Sequence, residues 1–328
     1  MLPLLYQIFH MQNQPDKILI TGALGQIGTA LTQALAEQHS SAAIVACDLQ
    51  LPQHPLPDVH YLKLNVIDQE HLIKIIVEHE ITMIYHFAAI LSATGEQKPH
   101  QAWDINMQGL LNVLEAAKIC LVRQVFWPSS IAIYGPEANG GSAAQYTRPN
   151  PSTSYGISKL AGEHWCRYYF EKYGLDVRSL RYPGLISHNA MPGGGTTDFA
   201  VEIFHAALKH DRYNCFLSEH TRLPMMYMPE AIRATLELMA APKENISVRE
   251  AYTLGAFSFT PAELVAEMNK YTPWLQVSYQ PDYRQQIAYS WPGSVHDLVA
   301  RKDWGWKPRY DLQQLVADMF EHLEVVAP

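Results

Sequence analysis

Tyr155 and Lys159 stand four residues apart in the stretch "PSTSYGISKLAGEHWCRYYFEKYG", a spacing that stacks two side chains on one face of a helix. A free phenol titrates near pH ~10 and is a poor base at neutral pH. Bringing it near neutrality takes about three units, or roughly 4 kcal/mol of preferential stabilisation of the phenolate. A lysine ammonium one turn away is the expected source. A hydroxyl to orient the reacting oxygen completes the set. "PSSIAIYG" offers Ser129 and Ser130 at the end of an apolar run.

The group that would work beside them is announced by "KILITGALGQIGTAL", where Gly22, Gly25 and Gly28 follow a strand pattern and open a helix. Small residues there let the backbone turn tightly, let a pyrophosphate approach, and aim the free N–H groups of the helix at it. Gln26 and Ile27 fall between the last two glycines and share this role. Asp48 closes the second apolar run, about 20 residues beyond the last glycine, where a carboxylate accepts hydrogen bonds from ribose hydroxyls and repels a 2′-phosphate. NAD is therefore expected over NADP, and its positive nicotinamide edge adds to the charge of Lys159. Asn65 and Val66 at the end of the third run, Phe87, Ala88 and Ala89 at the end of the fourth, and Pro183 and Leu185 after the sixth are expected to line the same cofactor.

These groups can meet only on a particular scaffold. "KILIT" (Lys17 to Thr21), "AAIVACD" (Ala42 to Asp48), "YLKLNV" (Tyr61 to Val66), "TMIYHFAA" (Thr82 to Ala89), "QVFWPSS" (Gln124 to Ser130) and "DVRSLRYPG" (Asp176 to Gly184) read as six strands. Helical patterns lie between them: Met107, Leu110, Leu111, Leu114, Ala117 and Leu121 follow the i, i+3, i+4, i+7 rule. The fold class is α/β, a Rossmann-type doubly wound parallel sheet with a smaller mixed α/β substrate lobe. A dinucleotide-binding domain is expected over residues 15–186 and the substrate lobe over 187–328, with a segment near 224–254 returning to the first.

Composition narrows the partner. A chain of 328 residues, 48% hydrophobic, with a formal net charge of -8, has ample core and no basic face for nucleic acid. Cys47, Cys120, Cys166 and Cys215 are widely spaced and read as reduced thiols, and neither they nor the histidines form a metal-ligand spacing, so no metal is expected. The opening "MLPLLYQIFHMQNQPDK" lacks the basic flank and length of a signal or membrane span. A cytoplasmic location is the expectation, with the first ten residues dispensable if Met11 is an alternative start.

The glycine loop, the acidic second strand, the serine pair and the Tyr155/Lys159 helix, in this order, resemble the extended short-chain dehydrogenase/reductase family. The resemblance runs from Lys17 to the "WGWKP" tail. It implies a catalytic set of Ser130, Tyr155 and Lys159, with Ser129 adjacent and sharing the substrate contact. It also implies an Asn106 helix packed beneath the site as part of the cofactor-binding set, and a homodimer formed by pairing the helices that carry Asn106 and Tyr155. Nucleotide-sugar epimerases and dehydratases of the family usually continue the sixth strand as R-Y-F-N-x-x-G, where this chain has "RYPGLIS".

The stretches "SLRYPGLISHNAMPGGGTTDFAVEIFHAALK", "LPMMYMPEAIRATLELM" and "DYRQQIAYSWPGSVHD" are instead similar to metal-independent family members that oxidise an amino-acid alcohol. This likeness implies NAD-dependent oxidation of the Cβ hydroxyl of L-threonine to 2-amino-3-oxobutyrate, a step in threonine catabolism. Thr196 and Thr197, placed by the pattern at a helix start, would seat the substrate carboxylate. Asp198 would accept from its ammonium or balance the helix end, and Ser92 would add a polar contact. The alternative is a nucleotide-sugar 4-epimerase or dehydratase.

Overall fold

The computed structural model describes residues 16–38, 43–138, 140–189, 193–209 and 212–324. The first ten residues, with the alternative start at Met11, lie outside them. The strands that organise the site are β1 (Ile18–Thr21), β2 (Ile44–Asp48), β3 (His60–Lys63), β4 (Met83–His86), β5 (Gln124–Ser130), β6 (Asp176–Tyr182), β7 (Gly184–Ile186), β8 (Leu223–Tyr227), β9 (Tyr252–Thr253) and β10 (Phe257–Phe259). The helices that cover them are α1 (Gln26–Gln38), α2 (Gln69–Glu78), α3 (Gly109–Ile119), α4 (Ser154–Tyr173), α5 (Phe199–Leu208), α6 (Met228–Ala240) and α7 (Leu312–Glu324).

The central sheet is wholly parallel, in the order β3-β2-β1-β4-β5-β6-β9. It has seven strands where the sequence pattern showed six, because the two-residue β9 is too short to carry a periodicity. The order reverses between β1 and β4, and the crevice at the carboxyl ends of those strands is where open α/β sheets bind ligands. Several strands stop earlier than the apolar runs do. β3 ends at Lys63 and β4 at His86, so Asn65, Val66, Phe87, Ala88 and Ala89 lie just beyond the strands, on the loops of that crevice.

Strand alternation divides the core. Ile18, Ile20, Tyr85 and Phe126 pack with Leu31 and Leu35 of α1 and Ala231 and Leu238 of α6. Leu19, Val45, Ile84 and Val125 face the other way, against Leu72 of α2, Leu110 and Val113 of α3 and Cys166 of α4. This is the period of two expected of strands buried on both faces.

Met107, Leu110, Leu114 and Ala117 are buried in the chain's own core. The same apolar stripe has Leu111 half-buried and Leu121 exposed. Its first turn, Asp104–Gln108, is a π-helical segment, and α3 proper begins at Gly109.

A second cluster gathers Phe199, Ile203 and Phe204 of α5, Leu223 and Met225 of β8, Phe259, and Leu315, Met319 and Phe320 of α7. A three-stranded sheet, β7-β8-β10, borders this cluster. Cys47, Cys166 and Cys215 are buried and Cys120 half-buried, all four with free thiols. No helix among the described residues is long and apolar enough to cross a membrane.

Candidate active site

The turn after β1 is built for close approach. Gly22 has φ +71°, a left-handed value, and a Cβ there would lie 2.5 Å from the backbone nitrogen of Ala88. A Cβ on Gly28 would lie 2.1 Å from the carbonyl oxygen of Gly22, so α1 can start against the turn only with glycine at both positions. Asp48 ends β2 beside this turn: Oδ2 accepts the N–H of Leu24 at 3.0 Å and Oδ1 that of Leu49 at 2.7 Å.

A cavity of about 360 Å³ is lined by Gly22, Gly25, Asp48, Asn65, Val66 and Phe87 to Ala89. A second, of about 800 Å³, shares the glycine turn and continues past Gln26, Ile27 and Gly28 to Ser130, Tyr155, Lys159, Pro183 and Leu185. The cradle that side chains would fill, the α1 N-terminus and the carboxylate at its far end together fit a dinucleotide.

At the other end of this cleft, Thr153 caps α4 by accepting the N–H of Gly156 at 3.0 Å, a contribution of about 1 kcal/mol. Tyr155 therefore sits in the first turn and Lys159 one turn on. The Lys159 ammonium donates to the carbonyl of Pro128 at 2.6 Å and lies 4.5 Å from the Trp127 ring and 5.4 Å from that of Tyr155. The pairing is present.

Burial pushes the Tyr155 phenol up to about 12, opposed by its hydrogen bond with Ser130. Burial also pulls Lys159 down to about 7, against the pull of Cys166 and Glu163. Desolvation disfavours whichever form is charged, so it acts against both phenolate and ammonium. Burial thus outweighs Lys159 at Tyr155, and the positive nicotinamide edge expected beside it is the other source of charge for the phenolate.

The serine pair is split by strand alternation. Ser130 lies at the cleft, where its Oγ accepts the N–H of Ala132 at 3.2 Å and shares a bond with Tyr155. Ser129, expected to share its substrate contact, also borders the larger cavity, but its hydroxyl is engaged by donating to Glu163 Oε1 at 2.5 Å. Glu163 in turn receives Nε and one terminal nitrogen of Arg181 at 2.9 and 2.8 Å.

Asn106 is buried and stands back from the cavity. Its Oδ1 accepts the N–H of Ile90 at 2.7 Å and its Nδ2 donates to the Ile90 carbonyl at 3.0 Å, fixing the loop that forms the cleft wall. Asn65 is exposed, and its Oδ1 accepts the N–H of Ile67 at 3.1 Å, closing a turn at the cleft edge.

Ser92, Thr196, Thr197 and Asp198 all line the larger cavity. Ser92 and Thr196 share a hydroxyl–hydroxyl bond of 3.2 Å across it. The helix expected to start at Thr196 begins at Phe199, and ahead of it Asp198 folds back, its Oδ2 accepting the N–H groups of Gly194 and Gly195 at 2.9 and 2.7 Å. Burial raises the Asp198 carboxyl while those two bonds oppose the rise.

Trp291, missed by the sequence reading, also lines this end of the cavity. It is 5% exposed, and its indole nitrogen has no acceptor among the described residues. A tryptophan in a loop carries no spacing signal that would have singled it out.

A parallel sheet with this crossover order, a glycine turn at its switch point and a Ser130/Tyr155/Lys159 cluster define a nucleotide-cofactor oxidoreductase fold. The chain belongs to the NAD dependent epimerase/dehydratase family, the extended short-chain dehydrogenases/reductases, whose pattern matches residues 18–255. It is 44% identical over 306 residues to a mitochondrial L-threonine 3-dehydrogenase of Bos taurus, spanning 93% of this chain and 82% of that protein. It is similar to a solved L-threonine dehydrogenase from Cupriavidus necator in its holo form, with 51% identity, a TM-score of 0.91, and 95% and 100% of the two chains covered. A structure of a monomeric L-threonine 3-dehydrogenase from a metagenome matches with a TM-score of 0.91 at 45% identity, covering 94% of this chain and 99% of the other. A nicotinamide cofactor follows from the family.

Proposed function

We propose that this chain oxidises the Cβ hydroxyl of L-threonine to 2-amino-3-oxobutyrate with NAD, a catabolic step. The observation that carries the reading is the convergence of Ser130, Tyr155 and Lys159 with Thr196, Thr197 and Asp198 on one cavity that also holds the glycine turn. The relatives named L-threonine dehydrogenases support the same substrate.

When bound, the dinucleotide supplies the hydride acceptor and a positively charged ring. Gly22, Gly25, Gln26, Ile27 and Gly28 would hold its pyrophosphate, and Asp48 the adenosine ribose, a carboxylate that disfavours a 2′-phosphate. Lys159, fixed by Pro128, would bond the other ribose and place its charge near the phenol. Tyr155 takes the proton from the substrate hydroxyl at its phenolic oxygen, and Ser130 holds that hydroxyl in line. Thr196, Thr197 and the indole N–H of Trp291 offer donors to the substrate carboxylate, and Asp198 an acceptor to its ammonium. Ser129 is left to support Glu163.

We read the enzyme as cytoplasmic and homodimeric. Trp103, and Ile157, Trp165, Tyr168 and Tyr173 of α4, are exposed aromatic and aliphatic residues available for pairing. Size determination of the purified chain tests the dimer, since one relative is named as monomeric.

The reaction is tested by incubating the chain with NAD and L-threonine and following NADH absorbance, with UDP-sugars in parallel. NADH accumulation with L-threonine is the expected result. Conversion of a UDP-sugar without NADH accumulation would overturn the reading in favour of an epimerase.

A further inference from the structure

Away from the cleft, the segment that follows β7 meets the last helix. His188, Asp318 and His322 bring one ligating atom each to within 4.8 Å of one another. Asp318 and His322 lie one turn apart on α7, and His188 comes from a distant part of the chain, so no linear spacing reveals the group.

Hydrogen-bond chemistry assigns the histidine tautomers. His322 Nδ1 lies 2.9 Å from the backbone carbonyl of Asp318. A carbonyl only accepts, so that nitrogen carries the proton and Nε2 keeps a lone pair. Tyr227 gives its hydroxyl proton to Asp318 Oδ2 at 2.5 Å, while His188 Nδ1 lies 2.6 Å from the same hydroxyl oxygen. The only proton left for that second contact is the imidazole's own, so His188 also presents a bare Nε2.

The two rings stack at 4.2 Å with 25° between their planes, and His322 Nδ1 also lies 3.4 Å from Asp318 Oδ2. An Nδ1–H tied to an oxygen acceptor, with the opposite nitrogen open, is the arrangement in which metal-binding histidines are held.

We propose that His188, Asp318 and His322 form a site for one zinc ion, remote from the reaction and independent of the assignment of substrate. Two imidazole nitrogens and a carboxylate, with water in the remaining position, are a donor set that suits tetrahedral zinc. Bringing the nitrogens and the carboxylate to about 3.4 Å apart, the edge of a tetrahedron with bonds of about 2.1 Å, requires the imidazoles to turn and Tyr227 to release Asp318 Oδ2. The consequence of binding is mechanical. The ion fastens α7 to the segment after β7, whose next residue, Asn189, lines the cofactor cavity.

The test is calorimetric titration of the full chain, freed of metal with a chelator, with Zn²⁺, both with and without NAD. Cobalt substitution reports the coordination. The expected result is one ion per chain, visible cobalt bands of a tetrahedral or five-coordinate nitrogen/oxygen site, and a rise in Tm with zinc. His322→Ala, a change at a half-exposed position near the end of the last helix, is expected to weaken binding at least tenfold while circular dichroism and NADH formation stay unchanged. Asp318→Asn, which keeps the volume and the acceptor oxygen, is expected to do likewise. Wild-type binding no tighter than that of a His188→Ala/His322→Ala double variant, or cobalt spectra unchanged by these substitutions, would overturn the proposal.

Discussion

The hydroxyl of Ser129 and the carboxylate of Glu163 meet at 2.5 Å on the side of β5 turned away from Ser130. Two adjacent serines thus belong to two different environments, one at the cleft and one in a buried ionic cluster with Arg181. Ser130→Ala should lower kcat by about 10² to 10⁴, the usual range for loss of a group in proton transfer. Ser129→Ala should leave kcat near its original value and destabilise the chain by about 1–2 kcal/mol through loss of one charge-assisted bond. Urea unfolding and steady-state kinetics on the pair separate these outcomes, and equal losses of kcat would refute the division.

Tyr155→Phe removes only the phenolic oxygen. Turnover should fall by about 10³, while the dissociation constant for NAD, measured by fluorescence quenching, changes no more than about threefold. Residual turnover near the original rate would take Tyr155 out of the mechanism.

Lys159 gives a stability signature. Its folded value of about 7 lies below the ordinary 10.5, so between those limits the unfolded chain binds a proton that the folded chain does not. The folded state therefore gains stability as pH rises above about 7, by up to about 1.4 kcal/mol per pH unit. The window to use is pH 7 to 9. Above it the Cys47 thiol, raised by burial from 9.0 to about 12, opposes the trend. In NAD-free protein, unfolding free energies should climb across this window relative to Lys159→Met, and parallel curves would show the ammonium to be retained.

The orphaned indole of Trp291 should matter to the amino acid and not to the dinucleotide. Trp291→Phe keeps most of the packing and deletes the N–H. KM for L-threonine should rise about tenfold, as for loss of a bond to a charged group, with NAD affinity and Tm unchanged. A shift in NAD affinity alone would place the indole at the cofactor instead.

Much of this was readable in advance because the cleft is assembled from strand ends, and strands announce themselves. The glycine turn, Asp48 and the Tyr155/Lys159 turn follow from local spacing that the fold preserves. Strand alternation could have separated Ser129 from Ser130 before any coordinates, but only with the identity of the facing helix in hand. The electrostatics were not legible: the height of the Tyr155 phenol and the depth of Lys159 depend on burial by residues remote in sequence. The same holds for Trp291 and for His188 beside His322, which tertiary folding alone brings to their partners. The helix starts at Phe199 and not at Thr196, behind a turn that the Asp198 side chain closes on the glycine N–H groups, a local arrangement that periodicity does not register.

The path of the backbone has an implication for biosynthesis. The polypeptide leaves the central sheet after β6, lays down β7, α5 and β8, and only then comes back with α6 and β9. A nascent chain that has emerged as far as Ile186 therefore lacks α6, which covers Phe126 and Leu180 in the finished protein, and has an open edge on β6. Such a half-made sheet presents greasy surface and unpaired backbone to its neighbours. Ribosome-bound intermediates of this length are where chaperone dependence should concentrate, and it should fade once Thr253 has cleared the exit tunnel.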